Sequence, residues 1–138
     1  MTRIYYVYLI HESPINAIPH CKIGFTHDPV RRLAQLQAGN PRALRSWDFE
    51  QRPTKPFGLR LPSKALAFEF EQRLLAKVRE MGVGLMKDYN YETNRAAPSE
   101  WIQGMHPNEV WLLSVQEYDE FLREKSISYE NIKILGWA

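Results

Sequence analysis

The sequence predicts a mixed α/β (α+β) fold, in which a small sheet carries packed helices. Residues 4–10 and 21–25 are two apolar runs, the first rich in aromatic and β-branched side chains, as is typical of buried strands. Residues 64–81 instead repeat large apolar side chains at helical spacing, which indicates a long amphipathic helix. Both element types are therefore expected within one domain.

Length and composition are those of one globular domain. The chain has 138 residues, of which 44% are hydrophobic and 25% charged, as in folded rather than disordered proteins. No run approaches the roughly 20 apolar residues of a membrane span, and the N-terminus lacks a signal-peptide pattern. The single Cys21 excludes an internal disulfide. We therefore expect a single domain over residues 1–138, cytoplasmic and without a membrane partner.

Positive charge is concentrated in the first half of the chain. Residues 22–64 hold nine Lys and Arg against three Asp and Glu, whereas residues 65–138 hold eight against twelve. A basic half indicates an anionic partner such as a phosphate backbone. A solvated basic face explains the same composition equally well.

The second strand and the first helix follow each other closely. We expect residues 21–25 to pair antiparallel with the first strand, and Gly24 to mark a place where another group approaches the backbone. Asp28 fits an N-cap and Pro29 the first helical position. The helix then runs to about residue 38, where Gly39-Asn40-Pro41 ends it.

The rest of the chain predicts further elements of both types. We expect a third strand over residues 43–51, an exposed connection over 52–62 and the long helix over 64–81. A long loop over 82–98, a short strand over 109–113 and a final helix over 114–124 should follow. Ser63 fits the N-cap of the long helix, and Ser114 begins a capping box. An Ile-Lys-Ile-Leu run in the tail favours an edge strand.

Three polar side chains fall at the margins of packed elements. Tyr8 lies on the first strand, Arg32 beside the buried stripe of the first helix, and Glu71 beside that of the long helix. Arg31 projects almost opposite to the stripe of its helix. Each has an ordinary explanation: a tyrosine that ties down a loop, a surface ion pair, and a residue at the margin of an amphipathic helix. Taken singly, each residue is ordinary, and a shared site is favoured only when their order along the chain is considered as well.

In their order, these residues resemble the GIY-YIG nuclease superfamily, specifically its small phage- and bacteria-associated branch. Tyr6-Val7-Tyr8 stands at the first motif, and Lys22-Ile23-Gly24 at the second, which often reads KIG in that branch. Residues 28–36 resemble the branch's arginine helix, and Glu71 matches its metal-binding glutamate. Glu100-Trp101-Ile102 is similar to its Glu-Trp-aromatic element.

The resemblance covers roughly residues 4–102. It implies a small three-stranded sheet flanked by helices, with one shallow active face. Residues 103–138 would then be a C-terminal strand–helix extension of the same domain.

The activity that the resemblance implies is hydrolysis of DNA phosphodiester bonds at a single-metal site. Glu71 would hold one Mg²⁺ or Mn²⁺, Arg32 would stabilise the pentacovalent transition state, and Tyr8 would orient the attacking water or the scissile phosphate. Lys22 stands where a tyrosine is often the general base. It would be the base if deprotonated, or a phosphate clamp if protonated. The expected DNA contacts are Arg31, Lys55 and Arg60.

The chain departs from the family pattern at three positions. Tyr6 replaces the glycine of the first motif, Phe25 a lysine that often follows the second, and Leu75 a histidine that often follows the glutamate by one turn. A site without these groups could bind nucleic acid without cutting it. The sequence thus supports an endonuclease on DNA, with RNA as an alternative substrate, a silent nucleic-acid-binding module, or a protein-interaction domain. Its oligomeric state is open.

Overall fold

The chain folds as the predicted α+β domain. The computed structural model describes residues 3–13, 15, 19–38, 43–46, 57–81, 85–90 and 95–128. In chain order, the elements are β1 (Tyr5–Ser13), β2 (His20–Thr26), α1 (Pro29–Ala38), β3 (Ala43–Ser46), β4 (Leu59–Leu61), α2 (Lys64–Glu80), β5 (Leu85–Asn90), β6 (Arg95–Gln103) and α3 (Pro107–Glu124). Within the described part of the chain, no helix combines the length and apolar composition that a membrane crossing requires.

The strands form one antiparallel sheet in the order β3-β1-β2-β6-β5, and β4 pairs with β1. β4 lies opposite the first residues of β1 and β3 opposite its last ones, so both occupy the same edge of that strand. The sheet is larger than the three strands that the sequence predicted, because β4, β5 and β6 extend it.

The alternation of side chains along β1 separates the sheet into two faces. Val7 and Leu9 point to one face, where they join the buried apolar residues of α2 and α3. Tyr8 and Ile10 point to the other, where Leu33 of α1 packs with them. We call these the α2 face and the α1 face. Helices on both sides explain why β1 is buried from residue 6 to residue 11.

Local signals in the sequence predicted the first two helices correctly. The Asp28 Oδ1 atom accepts a hydrogen bond from the Arg31 backbone N–H at 3.1 Å, as expected of the N-cap of α1. Ser63 Oγ accepts one from the Leu66 N–H at 3.2 Å at the start of α2. The predicted strand over residues 43–51 is described only as β3, and the predicted tail strand lies outside the described residues.

Two predicted elements were wrong. Residues 109–113 are not a strand but part of α3, which begins at Pro107 behind an N-cap at His106. Within that helix the Ser114 hydroxyl donates to the Val110 carbonyl at 2.7 Å, so it does not form the predicted cap. Residues 82–98 are not a long loop, because they contain β5 and the first residues of β6. Pairing between these two strands, rather than local periodicity, creates them.

A group of ion pairs joins α2 to α3. The Arg73 guanidinium donates to Glu117 at 2.9 Å and to Glu120 at 3.2 Å, and it also bonds Glu124. Glu117 is buried, so this charge needs its partner more than an exposed carboxylate would. Arg73 therefore fixes the packing of the two helices.

Arg73→Met is expected to lower the free energy of unfolding by about 1–3 kcal/mol, because Glu117 loses its charged hydrogen bond and, among the described residues, keeps an ion pair with Lys77 at 3.7 Å. Urea denaturation measures this. Arg79→Met, an exposed position on the same helix, is the control and should change the stability little. Equal effects of the two substitutions would contradict the bridging role of Arg73.

His11 links stability to pH. Burial lowers its pKa, and neighbouring His106 and Arg45 act in the same direction, while the hydrogen bond to the Glu12 carbonyl opposes them. Below about pH 6.5 the unfolded chain therefore binds a proton that the folded chain takes up only at lower pH. The stability that neutral His11 contributes is fully present above that pH, and it is lost as the pH falls towards the pKa of His11 in the folded protein.

His11→Gln should flatten this dependence, because the new side chain does not titrate. The measurement is the urea midpoint at pH 7.5 and at pH 5.5, and the difference between the two should shrink in the variant. His27→Gln, at an exposed histidine, is the comparison. An unchanged pH difference in His11→Gln would show that another group carries it.

Candidate active face

The pairing of β1 with β2 brings the two motif segments into contact. Tyr8 stands directly opposite Gly24 in the ladder, so both face α1. A Cβ atom at position 24 would lie 2.2 Å from the Tyr8 hydroxyl and 2.4 Å from its ring Cζ atom. Only glycine lets the Tyr8 ring lie against the backbone of β2. The predicted close approach at Gly24 is therefore confirmed, and the approaching group is Tyr8.

Lys22 lies next to this contact on the same face. It is opposite Ile10 in β1 and opposite Trp101 in β6. Its Nζ atom is 5.7 Å from the centre of the Trp101 ring, within the range of a cation–π contact. Both side chains are buried, and Trp101 belongs to the same apolar cluster as Tyr8. The structure thus brings together the first two predicted catalytic residues, Tyr8 and Lys22.

α1 places the predicted arginine at the margin of this face. Leu33 packs into the cluster with Tyr8, which holds the helix on the sheet. Arg32 is half-buried and Arg31 exposed, as the helical spacing predicted. Both line an open concavity at the start of α1, whose other lining residues are Thr26, His27, Asp28 and Gln35. The positive groups here remain accessible.

Glu71 lies in a different layer. It is in α2, whose apolar stripe packs against the α2 face beneath Val7 and Leu9. Glu71 is only 4% exposed, and its Oε1 atom accepts a hydrogen bond from the Gln72 side chain at 2.9 Å. The sequence placed Glu71 at the margin of the helix stripe, whereas the structure places it inside.

Of the other two predicted DNA contacts, the structure describes Arg60 but not Lys55. Arg60 lies in β4 opposite Tyr6, so it faces the same side of the sheet as Tyr8. Burial raises the pKa of Tyr6, and the charge of Arg60 opposes part of that rise. The Tyr118 hydroxyl donates to the Arg60 carbonyl at 2.6 Å and ties β4 to α3. Lys55 lies outside the described residues.

Two neighbours of the site were predicted only in part. Trp101 is a buried core residue, as its large apolar side chain suggests, but its contact with Lys22 was not predictable because the pairing of β6 with β2 is not visible locally. His27 is an exposed histidine beside the Asp28 cap, and the structure adds that it lines the concavity with the two arginines of α1.

The fold and this face define a small α+β domain whose two motif strands meet at a glycine beneath an arginine-bearing helix. A family model described as the T5orf172 domain matches residues 5–125. The chain therefore belongs to the T5orf172 domain family, and the matched range extends through α3. No curated protein and no solved structure matches the chain.

The contact between Tyr8 and Gly24 predicts strong coupling between the two positions. Gly24→Ala should destabilise the protein by about 1–3 kcal/mol, because the added methyl group displaces the Tyr8 ring. In a Tyr8→Ala background the methyl group has room, and Gly24→Ala should instead stabilise by about 0.5–1 kcal/mol, as alanine does over glycine within a strand. Urea denaturation of the two single variants and the double variant measures this. Additive effects would contradict the contact.

Proposed function

We propose that this protein is a metal-dependent endonuclease of the GIY-YIG type, which hydrolyses DNA phosphodiester bonds. The observation that carries the proposal is the contact of Tyr8 with Gly24, with Lys22 beside it and the helix of Arg32 on the same face. These residues stand at the two motifs and the arginine helix of the family that the sequence resembles. Membership in the T5orf172 family, which is linked to GIY-YIG-like phage domains, supports the same class.

Arg32 would bind the scissile phosphate. Its guanidinium borders an open concavity, so a phosphate can reach it from solvent. A planar guanidinium donates two parallel hydrogen bonds to phosphate oxygens and stabilises the charge that grows on them during the reaction. Arg31, on the same concavity, would contact a neighbouring phosphate of the backbone.

Tyr8 and Lys22 would complete the α1 face of the site. The Tyr8 hydroxyl is held over Gly24, where it can orient the attacking water or the phosphate. The Lys22 ammonium is held on the Trp101 ring. A ring face attracts the charged form of the amine, which is the form that a phosphate clamp requires.

Glu71 would hold the metal ion. A single carboxylate suits Mg²⁺ or Mn²⁺, which completes its coordination with waters and substrate oxygens. Among the described residues, no group of three or more His, Cys, Asp and Glu could hold a metal ion. Glu71 also belongs to the layer of α2, on the other side of the sheet from Tyr8 and Lys22, so the described residues do not bring the carboxylate together with the groups of the α1 face. A divalent ion held by Glu71 would supply charge neutralisation at the phosphoryl group and at the leaving oxygen.

Burial of the chemical groups favours a second candidate, a silent nucleic-acid-binding module. Tyr8 is 3% exposed, Lys22 2% and Glu71 4%. Arg31 and Arg32 remain accessible, so a nucleic acid can contact both without reaching the buried groups. This candidate predicts salt-sensitive binding without cleavage.

The deciding experiment is incubation of supercoiled plasmid with the protein and Mg²⁺ or Mn²⁺. We expect nicking that disappears in Glu71→Gln and in EDTA, because the amide no longer binds a hard divalent cation as a carboxylate does. Glu80→Gln, at an exposed position on the same helix, is the matched control and should nick like the unmodified protein. Thermal unfolding of each variant establishes that it is folded.

The outcomes separate the two candidates. Nicking that survives Glu71→Gln would show that Glu71 does not hold the metal ion. Absence of nicking, together with a gel shift that Arg32→Ala weakens, would replace the endonuclease by the silent module. A protein that neither nicks the plasmid nor shifts it on a gel would contradict both the endonuclease and the silent module.

A further inference from the structure

Four aromatic rings form a row beside the arginine concavity, and the row is exposed at its two ends and half-buried in its middle. The Phe68 ring lies 6.0 Å from that of Phe25, Phe25 lies 6.5 Å from Tyr5, and Tyr5 lies 5.9 Å from His27, measured between centroids. Phe68 is 52% exposed, and His27 is exposed as well. We call these four residues the aromatic row.

The aromatic row is continuous with positive charge at both ends. At one end, His27 lines the concavity that also contains Arg31 and Arg32. At the other, the exposed Lys64 lies one helical turn before Phe68, on the same side of α2. Asp28 also lines the concavity, but its carboxylate caps the Arg31 backbone N–H. A ligand that spans this surface meets partly exposed aromatic rings in the middle and cations on either side.

We propose that the aromatic row binds unpaired bases of a single-stranded nucleic acid whose phosphates lie against Arg31 and Arg32. Exposed rings next to cations are how proteins hold single strands, because every base has a face to stack and every link a charge to neutralise. A base within a duplex already stacks on its neighbours, so it does not present that face. The proposal rests on the proposed function for its anionic partner and deepens it by naming the substrate class.

The path of the strand follows from the fold. Tyr5 and Phe25 belong to the α2 face, whereas the concavity lies at the start of α1, and the two meet at His27 in the turn after β2. A bound strand therefore bends around the end of β2. A single strand bends at this scale without large cost, whereas a duplex is stiff over many base pairs.

The test is fluorescence anisotropy in EDTA, with a labelled oligo-dT of about twelve nucleotides and a duplex of the same length as probes. Phe68→Ala should weaken single-strand binding about tenfold, which is the effect expected for loss of one stacked base. Leu112→Ala, an equally exposed apolar position on α3 (54%), is the matched control. Phe68→Tyr should retain affinity, and Phe68→Leu should lose it, since stacking needs a ring and not only apolar area.

Salt dependence separates the two halves of the surface. Arg31→Ala should reduce the slope of log affinity against log salt by about 0.7, as for one lost phosphate contact, whereas Phe68→Ala should leave the slope unchanged. Without a divalent metal no cutting occurs, so a failed cleavage assay and a failed binding assay remain distinguishable.

Several outcomes would overturn the proposal. One is a Phe68→Ala effect no larger than that of Leu112→Ala. Another is duplex binding as tight as single-strand binding, with the same sensitivity to Phe68. A third is sedimentation of the unmodified protein as a dimer that Phe68→Ala converts to a monomer, which would make the aromatic row an interface between two copies.

Discussion

The contact between Tyr8 and Gly24 is the constraint on which the rest of the α1 face depends. It requires β1 and β2 to pair in one register, because a shift of one residue would turn Tyr8 towards the α2 face. The same register sets Lys22 opposite Ile10, and from there the β2–β6 ladder sets it opposite Trp101. The contact thus fits one register of β1 and β2, and the separate β2–β6 ladder completes a face of the sheet that carries a tyrosine hydroxyl, an ammonium and an indole.

Apolar packing and ion pairs together join α2 to α3 on the α2 face. On the α2 face, Phe70 packs edge-on against Tyr118 and tilted against Phe121, and Arg73 binds three glutamates of α3 outside this apolar layer. Several of the acidic side chains in the second half of the chain therefore form ion pairs between α2 and α3. Lys125 pairs with Glu69 in the same way. The basic groups of α1 lie outside this network and remain accessible to an anionic partner.

How far the sequence could predict this arrangement depended on whether the signal was local. Asp28 and Ser63 identified the starts of α1 and α2, since a cap acts within three residues. β5 and β6 escaped prediction because each exists through its partner rather than through its own periodicity. Val110 was assigned to a strand because short apolar runs fit either element, and only the packing of α3 decides between them. The burial of Glu71 was likewise not predictable, because neighbouring elements widen the buried stripe of α2 beyond its large apolar residues.

Exposure also indicates how binding and chemistry would be shared under the proposed function. The accessible groups, Arg31, Arg32 and Phe68, would recognise features that any strand carries, namely phosphates and base faces. The buried groups, Tyr8 and Glu71, could act only on a substrate that enters between elements. An unpaired strand is thinner and more flexible than a duplex, so it meets that requirement with the smaller rearrangement of the protein. The exposed surface would select an unpaired strand as substrate. The burial of the groups that would cut it favours the same class of nucleic acid.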